Sequence, residues 1–365
     1  MVVYPNEEAE NGSLRFVDFV NKTFALLGNS PIKKFSLRHE PRLYCVDAYL
    51  RWIFTAMEQE RGLLELHLYA DRYYYPVGIE RELFTSNTLV KLTLSGRYDF
   101  QVETVFLPAL KSLSLSSSFE IGFDKYCNLL DGFPALEELY IREAVSELSN
   151  ALLSSGTFVK CASIKRLVVF TDCPKFKEDE DHQEPCFIAP SLVYLDYSSY
   201  LSENYDLIDL NSLVEARLNL RLLESFNNYG SSDNDGDVYG WDFNVPFDYY
   251  GDVTNLVAGI TNITTLHLSP DSLEGFVHRV TSKCGDACAC IPKKQRKIGK
   301  KEEISEYGGS FQELEQMRHF LGKLERLETV KVGVHAENNN NNEFLRANLL
   351  TLPRLSSKCN NIQFI

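Results

Sequence analysis

The sequence predicts an α/β solenoid, in which short parallel strands stack side by side and are joined by irregular or helical return segments. The pattern Leu-x-x-Leu-x-Leu and close variants place three apolar side chains on one face of a short strand. The pattern occurs ten times, and its first seven intervals are 21 to 31 residues long. One such strand cannot bury its apolar face, whereas a stack of strands can. Intervals of about 20–29 residues are typical of leucine-rich repeats.

The ten occurrences define the expected strands of the solenoid. The last two intervals, of 50 and 64 residues, indicate repeats with long insertions. Leu113, Leu139, Leu167 and Leu195 are predicted to point inward. The ten sequences are IKKFSL (32–37), LLELHL (63–68), LVKLTL (89–94), LKSLSL (110–115), LEELYI (136–141), IKRLVV (164–169), LVYLDY (192–197), LVEARL (213–218), ITTLHL (263–268) and LETVKV (327–332).

Composition and charge exclude several classes of protein. The 365 residues include 37 basic and 51 acidic ones, so the net charge of −14 argues against general binding to nucleic acid or anionic membranes. The amino terminus has no basic segment followed by an apolar run, which predicts no secretory signal, and no apolar stretch suggests a membrane span. Nine cysteines, an odd number, favour a reducing compartment. We therefore expect a monomer in the cytoplasm, the nucleus or both.

Two helices are predicted at the amino-terminal end. Residues 14–27 carry an apolar stripe that includes Phe16 and Phe24, with Ser13 as the expected N-cap and Gly28 as the stop. This helix is expected to cap the first repeat. Residues 43–60 carry a second stripe of apolar and aromatic residues; the stripe could line a ligand pocket, but core packing is the favoured interpretation.

The rest of the chain is divided by insertions. We expect a linker and capping helix in residues 1–30 and repeats in residues 31–270. Pro108, Pro134 and Pro190 precede three of the strands and should end the return segments. Acidic insertions, predicted to be solvated loops, occur near 174–186 and 227–250. A cysteine-rich and basic insertion covers 271–310, and the terminal region, 311–365, contains a helix at 311–324, an asparagine run at 338–342 and a final edge strand.

The sequence matches known metal-binding motifs only in part and contains one run of basic residues. Residues 231–242 partly match a calcium loop but have Ser at the first position and Asp at the twelfth, and His278, Cys284, Cys288 and Cys290 do not have the usual zinc spacing. Residues 293–301 hold six cations, which fit a nuclear localisation signal, an anion-binding patch or a solvated loop. No catalytic motif is present. The prediction is a protein that is not an enzyme, with no metal and no cofactor.

Residues that alternate with the core along each strand are the candidate binding site, because they should line the concave face of the sheet. Tyr140, Arg142, Arg166 and Tyr194 are the expected anchors, since aromatic and Arg side chains dominate many interfaces. The alternative is that these are plain solvated strand positions. The predicted site consists of Lys34, Ser36, Arg38, Glu65, His67, Tyr69, Lys91, Thr93, Ser112, Ser114, Glu138, Tyr140, Arg142, Arg166, Val168, Tyr194, Asp196, Glu215 and Arg217.

Several longer stretches resemble the plant F-box proteins that carry leucine-rich repeats and a C-terminal FBD region. They span nearly the whole chain, and their combination is specific to that family. They are FVDFVNKTFALLGNSPIKKFSL (16–37), RWIFTAMEQERGLLELHL (51–68), LFTSNTLVKLTL (83–94), LPALKSLSL (107–115), LLDGFPALEELYI (129–141) and the FBD-like ending LRANLLTLPRLSSKCNNIQFI (345–365).

The resemblance implies a protein–protein interaction module. Family members begin with an F-box that docks on the Skp adaptor of a cullin–RING ubiquitin ligase, and nothing similar precedes residue 16 here. The expectation is the substrate-recognition part of an SCF-type E3 ligase, which would meet the Skp adaptor and cullin only if an F-box were supplied. The alternatives are a free-standing scaffold that competes with full-length F-box proteins, and a small-molecule receptor. The protein target is not specified by the sequence.

Overall fold

An eleven-stranded parallel sheet organises the structure, a computed structural model. The main-sheet strands are β1 (Lys34–Arg38), β2 (Glu65–Tyr69), β4 (Lys91–Ser95), β6 (Ser112–Ser116), β7 (Glu138–Glu143), β9 (Arg166–Thr171), β11 (Tyr194–Tyr200), β13 (Glu215–Arg221), β14 (Thr265–Leu268), β15 (Thr329–Val332) and β16 (Asn361–Phe364). The residues described are 12–38, 46–58, 61–70, 77–79, 85–96, 98–100, 105–116, 129–143, 158–171, 184–202, 205–206, 208–221, 253–260, 262–269, 327–332, 342–353 and 361–364.

All ten predicted strands are present, and they pair in the order in which they occur in the chain. Each core position of a repeat stands beside the equivalent core position of the next strand; Leu139, for example, lies between Leu113 and Leu167. The four leucines predicted to point inward are all buried in one continuous core. The leucine-rich-repeat solenoid predicted from the spacing is therefore confirmed. The final edge strand is confirmed as well, since β16 pairs with β15.

A short turn prepares the chain for several of the strands. The backbone N–H of Leu110 donates to the carbonyl of Leu107 at 3.1 Å, and Leu136 and Phe133 repeat the arrangement at 3.1 Å. Pro108 and Pro134 occupy the second position of these four-residue turns, where a φ near −65° is required. The first and last residues of the turns are buried, so the turn fixes the register and contributes to the core.

The amino-terminal cap consists of α1 (Gly12–Leu27) and α2 (Val46–Met57). Phe16 and Trp52 are buried edge to face, 5.8 Å apart, and the indole Nε1 of Trp52 donates to Oδ1 of Asn21 at 2.8 Å. Gly28 ends α1 with a φ of +50°, as predicted. Ser13 lies inside the first turn, so its prediction as the N-cap is wrong.

The cap is less complete than the apolar stripe of α1 predicts. Phe24 is half-buried and Leu27 is exposed. Phe19 and Leu26 are exposed too, at 51% and 88% of their surface, and flank the apolar stripe. Of the α1 side chains that the structure describes, Phe16 and Val20 enter the core, because one helix of this length covers a limited part of the first repeats.

Two small parallel sheets were not predicted. One joins β3 (Val77–Ile79) and β5 (Tyr98–Phe100); the other has the order β12 (Ile208–Asp209), β10 (Cys186–Ile188), β8 (Phe158–Lys160). These strands occupy the return segments, which were expected to be irregular or helical. Helix α3 (Thr254–Gly259) takes the equivalent place before β14, and α4 (Asn342–Leu350) precedes β16. Strands of two or three residues leave no readable alternation in a sequence.

Several predicted features lie outside the described residues. They include the insertions at 227–250 and 271–310, the helix at 311–324 and most of the asparagine run. Of the acidic insertion at 174–186, residues 184–186 are described. Cys186 is buried as the first residue of β10, so the prediction of a solvated loop is wrong at that end.

Gly96 marks a place where two repeats approach closely. Its φ is +114°, and a Cβ atom there would overlap the backbone carbonyl of Ala70. We expect Gly96→Ala to lower the free energy of unfolding by about 3 kcal/mol, because the strained conformation and the backbone overlap add together. Gly28→Ala is the matched control: its φ is also positive, but nothing lies within 4 Å of the new Cβ. It should cost only about 1 kcal/mol. Equal losses in urea titrations of the two variants would contradict the close approach.

Candidate functional site

The side of the main sheet that points away from the leucine core carries the candidate site, and we call it the polar face. It consists of the first, third, fifth and, where present, seventh residues of the main-sheet strands. All nineteen residues of the predicted site lie on it, in register across β1 to β13. His67 and Ser112 are buried, and the others are half-buried or exposed. The repeat pattern therefore places the predicted residues on a single surface.

Two arginines share the ring of Tyr194 on this face. The Cζ atom of Arg166, on β9, lies 3.8 Å from the centroid of the ring, and that of Arg217, on β13, lies 5.6 Å from it. Arg166 is the direct register partner of Tyr194. We call Arg166, Tyr194 and Arg217 the Tyr194 cluster. Each such cation–π contact contributes about 0.5–1 kcal/mol at exposed sites, so the ring holds the two guanidinium groups in place.

A second pair of arginines shares the ring of Phe170 further along the strands. The Cζ atoms of Arg142 and Arg221 lie 5.3 Å and 5.8 Å from its centroid. Arg221 also lies over the ring of Tyr200, at 4.5 Å, and its Nη2 donates to the carbonyl of Thr171 at 2.7 Å. We call Arg142, Phe170 and Arg221 the Phe170 cluster. The same arrangement thus occurs twice on the polar face.

Tyr194 is a neutral phenol in this environment. Burial and the carboxylate of Asp196 raise its pKa above the usual value, although Arg217 and Arg166 oppose that shift. The hydroxyl donates to Oδ2 of Asp196 at 3.4 Å. At physiological pH the ring therefore keeps its proton and offers an electron-rich face to both arginines.

Carboxylates on the polar face pair with neighbouring cations. Oε1 of Glu215 lies 3.3 Å from Nε of Arg217 and 2.9 Å from Nε2 of His267. Burial, with Lys331 and Arg217 nearby, lowers the pKa of His267 below 6.5, so its imidazole is neutral at pH 7. On β2, hydrogen bonds from Lys34 and then His67 lower the pKa of the Glu65 carboxyl. Part of the charge on Arg217 is therefore already balanced within the protein.

The polar face and the whole chain have opposite signs of charge. Its main-sheet positions hold eight lysines and arginines against four acids, whereas the chain has a net charge of −14. The basic residues are Lys34, Arg38, Lys91, Arg142, Arg166, Arg217, Arg221 and Lys331, and the acidic ones are Glu65, Glu138, Asp196 and Glu215.

Comparison with known proteins identifies the family. No family model matches the chain, and no solved structure matches it. Among curated proteins, an F-box/LRR-repeat protein of Arabidopsis thaliana is 53% identical over the whole of this chain and 88% of its own length. The chain belongs to the F-box/LRR-repeat family. A putative F-box protein of the same plant is 42% identical to it over the whole chain and 91% of the relative, and another F-box/LRR-repeat protein is 36% identical over 96% and 87%.

The polar face of this F-box/LRR protein extends beyond the residues predicted from the sequence. Phe170 and Arg221 belong to the Phe170 cluster and Tyr200 contacts Arg221, but the prediction left all three out. It included the residue that follows the hexapeptide in only three repeats, at Arg38, Tyr69 and Arg142. The strands β11 and β13 continue for seven residues each, and the alternation of polar and apolar residues continues with them. That alternation could have identified these residues. The other additions whose side chains are described are Ser95, Ser116, Ser198, Asn219, Thr265, His267, Thr329 and Lys331.

One cavity in the described part of this F-box/LRR chain has a volume of about 60 Å³. It lies between α1 and β1 and is lined by Phe24, Leu27 and Phe35 among others. Pockets for drug-sized molecules usually have several hundred Å³. Within the same residues no three His, Cys, Asp or Glu side chains come together as metal ligands, and no helix is long and apolar enough to cross a membrane. The weak calcium and zinc motifs, at 231–242 and 278–290, lie outside that part of the chain.

Proposed function

We propose that this F-box/LRR protein binds a protein target through its polar face and supplies the target-recognition part of an SCF-type E3 ubiquitin ligase. The observation that carries the proposal is the pair of arginine–aromatic clusters at the centre of the face. Aromatic and Arg side chains are the residues most often responsible for binding energy at protein interfaces. They are also preorganised here, because the rings hold the guanidinium groups in place before a partner arrives.

The size and form of the polar face support a protein as the ligand. A typical interface uses about 20–30 residues on each side, and the nineteen predicted residues with the eleven added above reach that range. A small molecule would require an enclosed pocket, and the cavity between α1 and β1 is too small to favour that function. The proposed role is a non-catalytic one, in which the face contributes binding groups.

Two forms of this function differ in their relation to the ligase. In the first, an F-box connects the target to the Skp adaptor and the cullin, and in the second the chain is a competitor that holds the same target without ubiquitination. Co-purification of residues 1–365 with the Skp adaptor separates them. A stoichiometric complex supports the ligase subunit, and its absence supports the competitor. We propose the cytoplasm or nucleus as the site of action, where such ligases operate.

The polar face is tested by changing its expected anchors together. The variant with alanine at Tyr140, Arg142, Arg166 and Tyr194 should capture the partner from a plant cell extract at least about tenfold less efficiently, since hot-spot residues each contribute 1 kcal/mol or more. The matched control has alanine at two arginines and two aromatic residues that are exposed outside the polar face: Arg15, Phe19, Arg51 and Phe106. It should capture normally. Unchanged capture by the first variant would contradict the proposal.

A further inference from the structure

The two clusters on the polar face leave part of their hydrogen-bonding capacity unused. A guanidinium group that lies over an aromatic ring keeps the N–H donors along its edge available to a planar or tetrahedral anion. Arg142 has no carboxylate within ion-pair distance among the described residues; its recorded contact is the Phe170 ring. Arg166 interacts with the side chains of Tyr194 and Tyr140, neither of which is a carboxylate. Neither of these two cations therefore forms an ion pair with an acid among the described residues.

The distance between the clusters indicates how far apart the anionic groups of the ligand should be. Phe170 stands in register with Ser198, which is four residues after Tyr194 on the neighbouring strand. At about 3.3 Å per residue, the two rings are separated by about 13 Å along the strands. An extended peptide has nearly the same rise, so groups four residues apart in such a peptide would reach one cluster each.

The charge of the face indicates the sign of the ligand. The chain as a whole repels anions, whereas the polar face has twice as many basic as acidic positions. Over distances shorter than about 8–10 Å, the local charges outweigh the distant ones at physiological ionic strength. A target segment that carries negative charge would therefore be attracted to this face and repelled elsewhere.

We propose that the polar face recognises an extended target segment with two anionic side chains four residues apart, one bound by the Tyr194 cluster and one by the Phe170 cluster. The inference rests on the proposed function, because it specifies the chemistry of the target at the same face. Carboxylates and phosphorylated serines share this chemistry, and both suit the fork of an arginine. Phosphate carries more charge and more acceptor oxygens, so a phosphorylated segment should bind more tightly than its glutamate equivalent.

The test uses labelled Ser-Gly peptides and fluorescence anisotropy with the full chain. One peptide has two phosphoserines four residues apart, a second has glutamates at those positions, a third has one phosphoserine, and the others have serine or lysine there. The doubly anionic peptides should bind, and the single phosphoserine should bind at least about tenfold more weakly. Tighter binding of the phosphoserine pair identifies phosphorylation as the source of charge, and equal binding of the glutamate pair identifies acidic side chains. Equal binding of the serine peptide, or binding of no peptide, would overturn the proposal.

Variants distinguish specific recognition from general charge attraction. The side chain of Arg142 is exposed, and its contact among the described residues is the Phe170 ring. Arg142→Gln should weaken binding of the double phosphopeptide at least about tenfold and leave binding of the single phosphopeptide at the Tyr194 cluster nearly unchanged. The control, Arg15→Gln with Arg51→Gln, removes two exposed arginines outside the polar face. Equal weakening by this control would overturn the proposal.

The failure of this inference is distinguishable from that of the proposed function. If the four-alanine variant loses the partner while the anionic peptides do not bind, the face is the target site but its ligand is not anionic. If the peptides bind and the four-alanine variant still captures the partner from the extract, the anion site exists but the target is held elsewhere. Thermal melting of each variant verifies that it is folded before binding is compared.

Discussion

Leu139→Asp is expected to lower the free energy of unfolding by about 4 kcal/mol or more. Leu139 is fully buried on β7, between Leu113 and Leu167 on the neighbouring strands. The carboxylate would lose its hydration and gain no partner, and the leucine contacts would be lost as well. Because folded domains are stable by only about 5–15 kcal/mol, a loss of this size is a large part of the total. Chemical denaturation followed by circular dichroism measures it.

Ser114→Asp is the matched control for this substitution. Ser114 lies on β6, next to Leu113 in the chain, but its side chain is half-buried on the polar face. The new charge keeps access to water there, so the loss should stay within about 1 kcal/mol. If Leu139→Asp unfolds at the same denaturant concentration as the unchanged protein, the assignment of the inward positions is wrong.

Tyr194→Ala is expected to weaken binding of the target by about thirtyfold, or 2 kcal/mol. The change removes the ring that supports Arg166 and Arg217, and both side chains then lose orientation in addition to the direct contact. Tyr194 is half-buried, so the folded state should lose little stability. Titration of the captured partner against the purified variant gives the ratio of dissociation constants.

Tyr194→Phe separates the role of the ring from that of the hydroxyl. Phenylalanine keeps the aromatic surface beneath both guanidinium groups and loses the hydrogen bonds of the hydroxyl, which are the one to Asp196, long at 3.4 Å, and the one with Arg166. We expect binding within about threefold of the unchanged protein. If the two substitutions weaken binding equally, the ring does not position the arginines and the hydroxyl is the important group.

The main sheet was predictable from the sequence because its signal is repeated. Each leucine hexapeptide is weak by itself, but ten at similar intervals specify both the strand positions and the register of their neighbours. The polar face follows from the same register, since residues alternate across a strand. This is why the sequence alone places residues as far apart in the chain as Lys34 and Arg217 on one surface.

The clusters at the centre of the site were only partly predictable. Tyr140, Arg142, Arg166 and Tyr194 were selected by residue type, but the contact of two arginines with one ring depends on which side chains face each other across strands. Phe170 was missed because the residue after the hexapeptide was included in only three repeats, and Arg221 was missed because β13 continues beyond the repeat pattern. The small sheets were missed for a different reason. Their strands, such as Phe158–Lys160, are too short to show a period.

The small sheets are positioned by the repeats and not by their own sequences. Val159 and Phe187 are buried where β8 pairs with β10, seven or eight residues before the next main-sheet strand begins. Their pairing follows from stacking of the repeats, because equivalent points of neighbouring return segments are brought side by side. Tertiary context of this kind is absent from a local pattern.

Site-specific photo-crosslinking tests the central claim, that the polar face holds the target, most directly. A benzophenone side chain replaces Ser114, at the middle of the polar face, or Phe106, which is 58% exposed outside it. With the captured partner, position 114 should give a covalent adduct that disappears when Tyr140, Arg142, Arg166 and Tyr194 are alanine, and position 106 should give none. An adduct from position 106 with none from position 114 would show that the target lies elsewhere on the protein and would contradict the account.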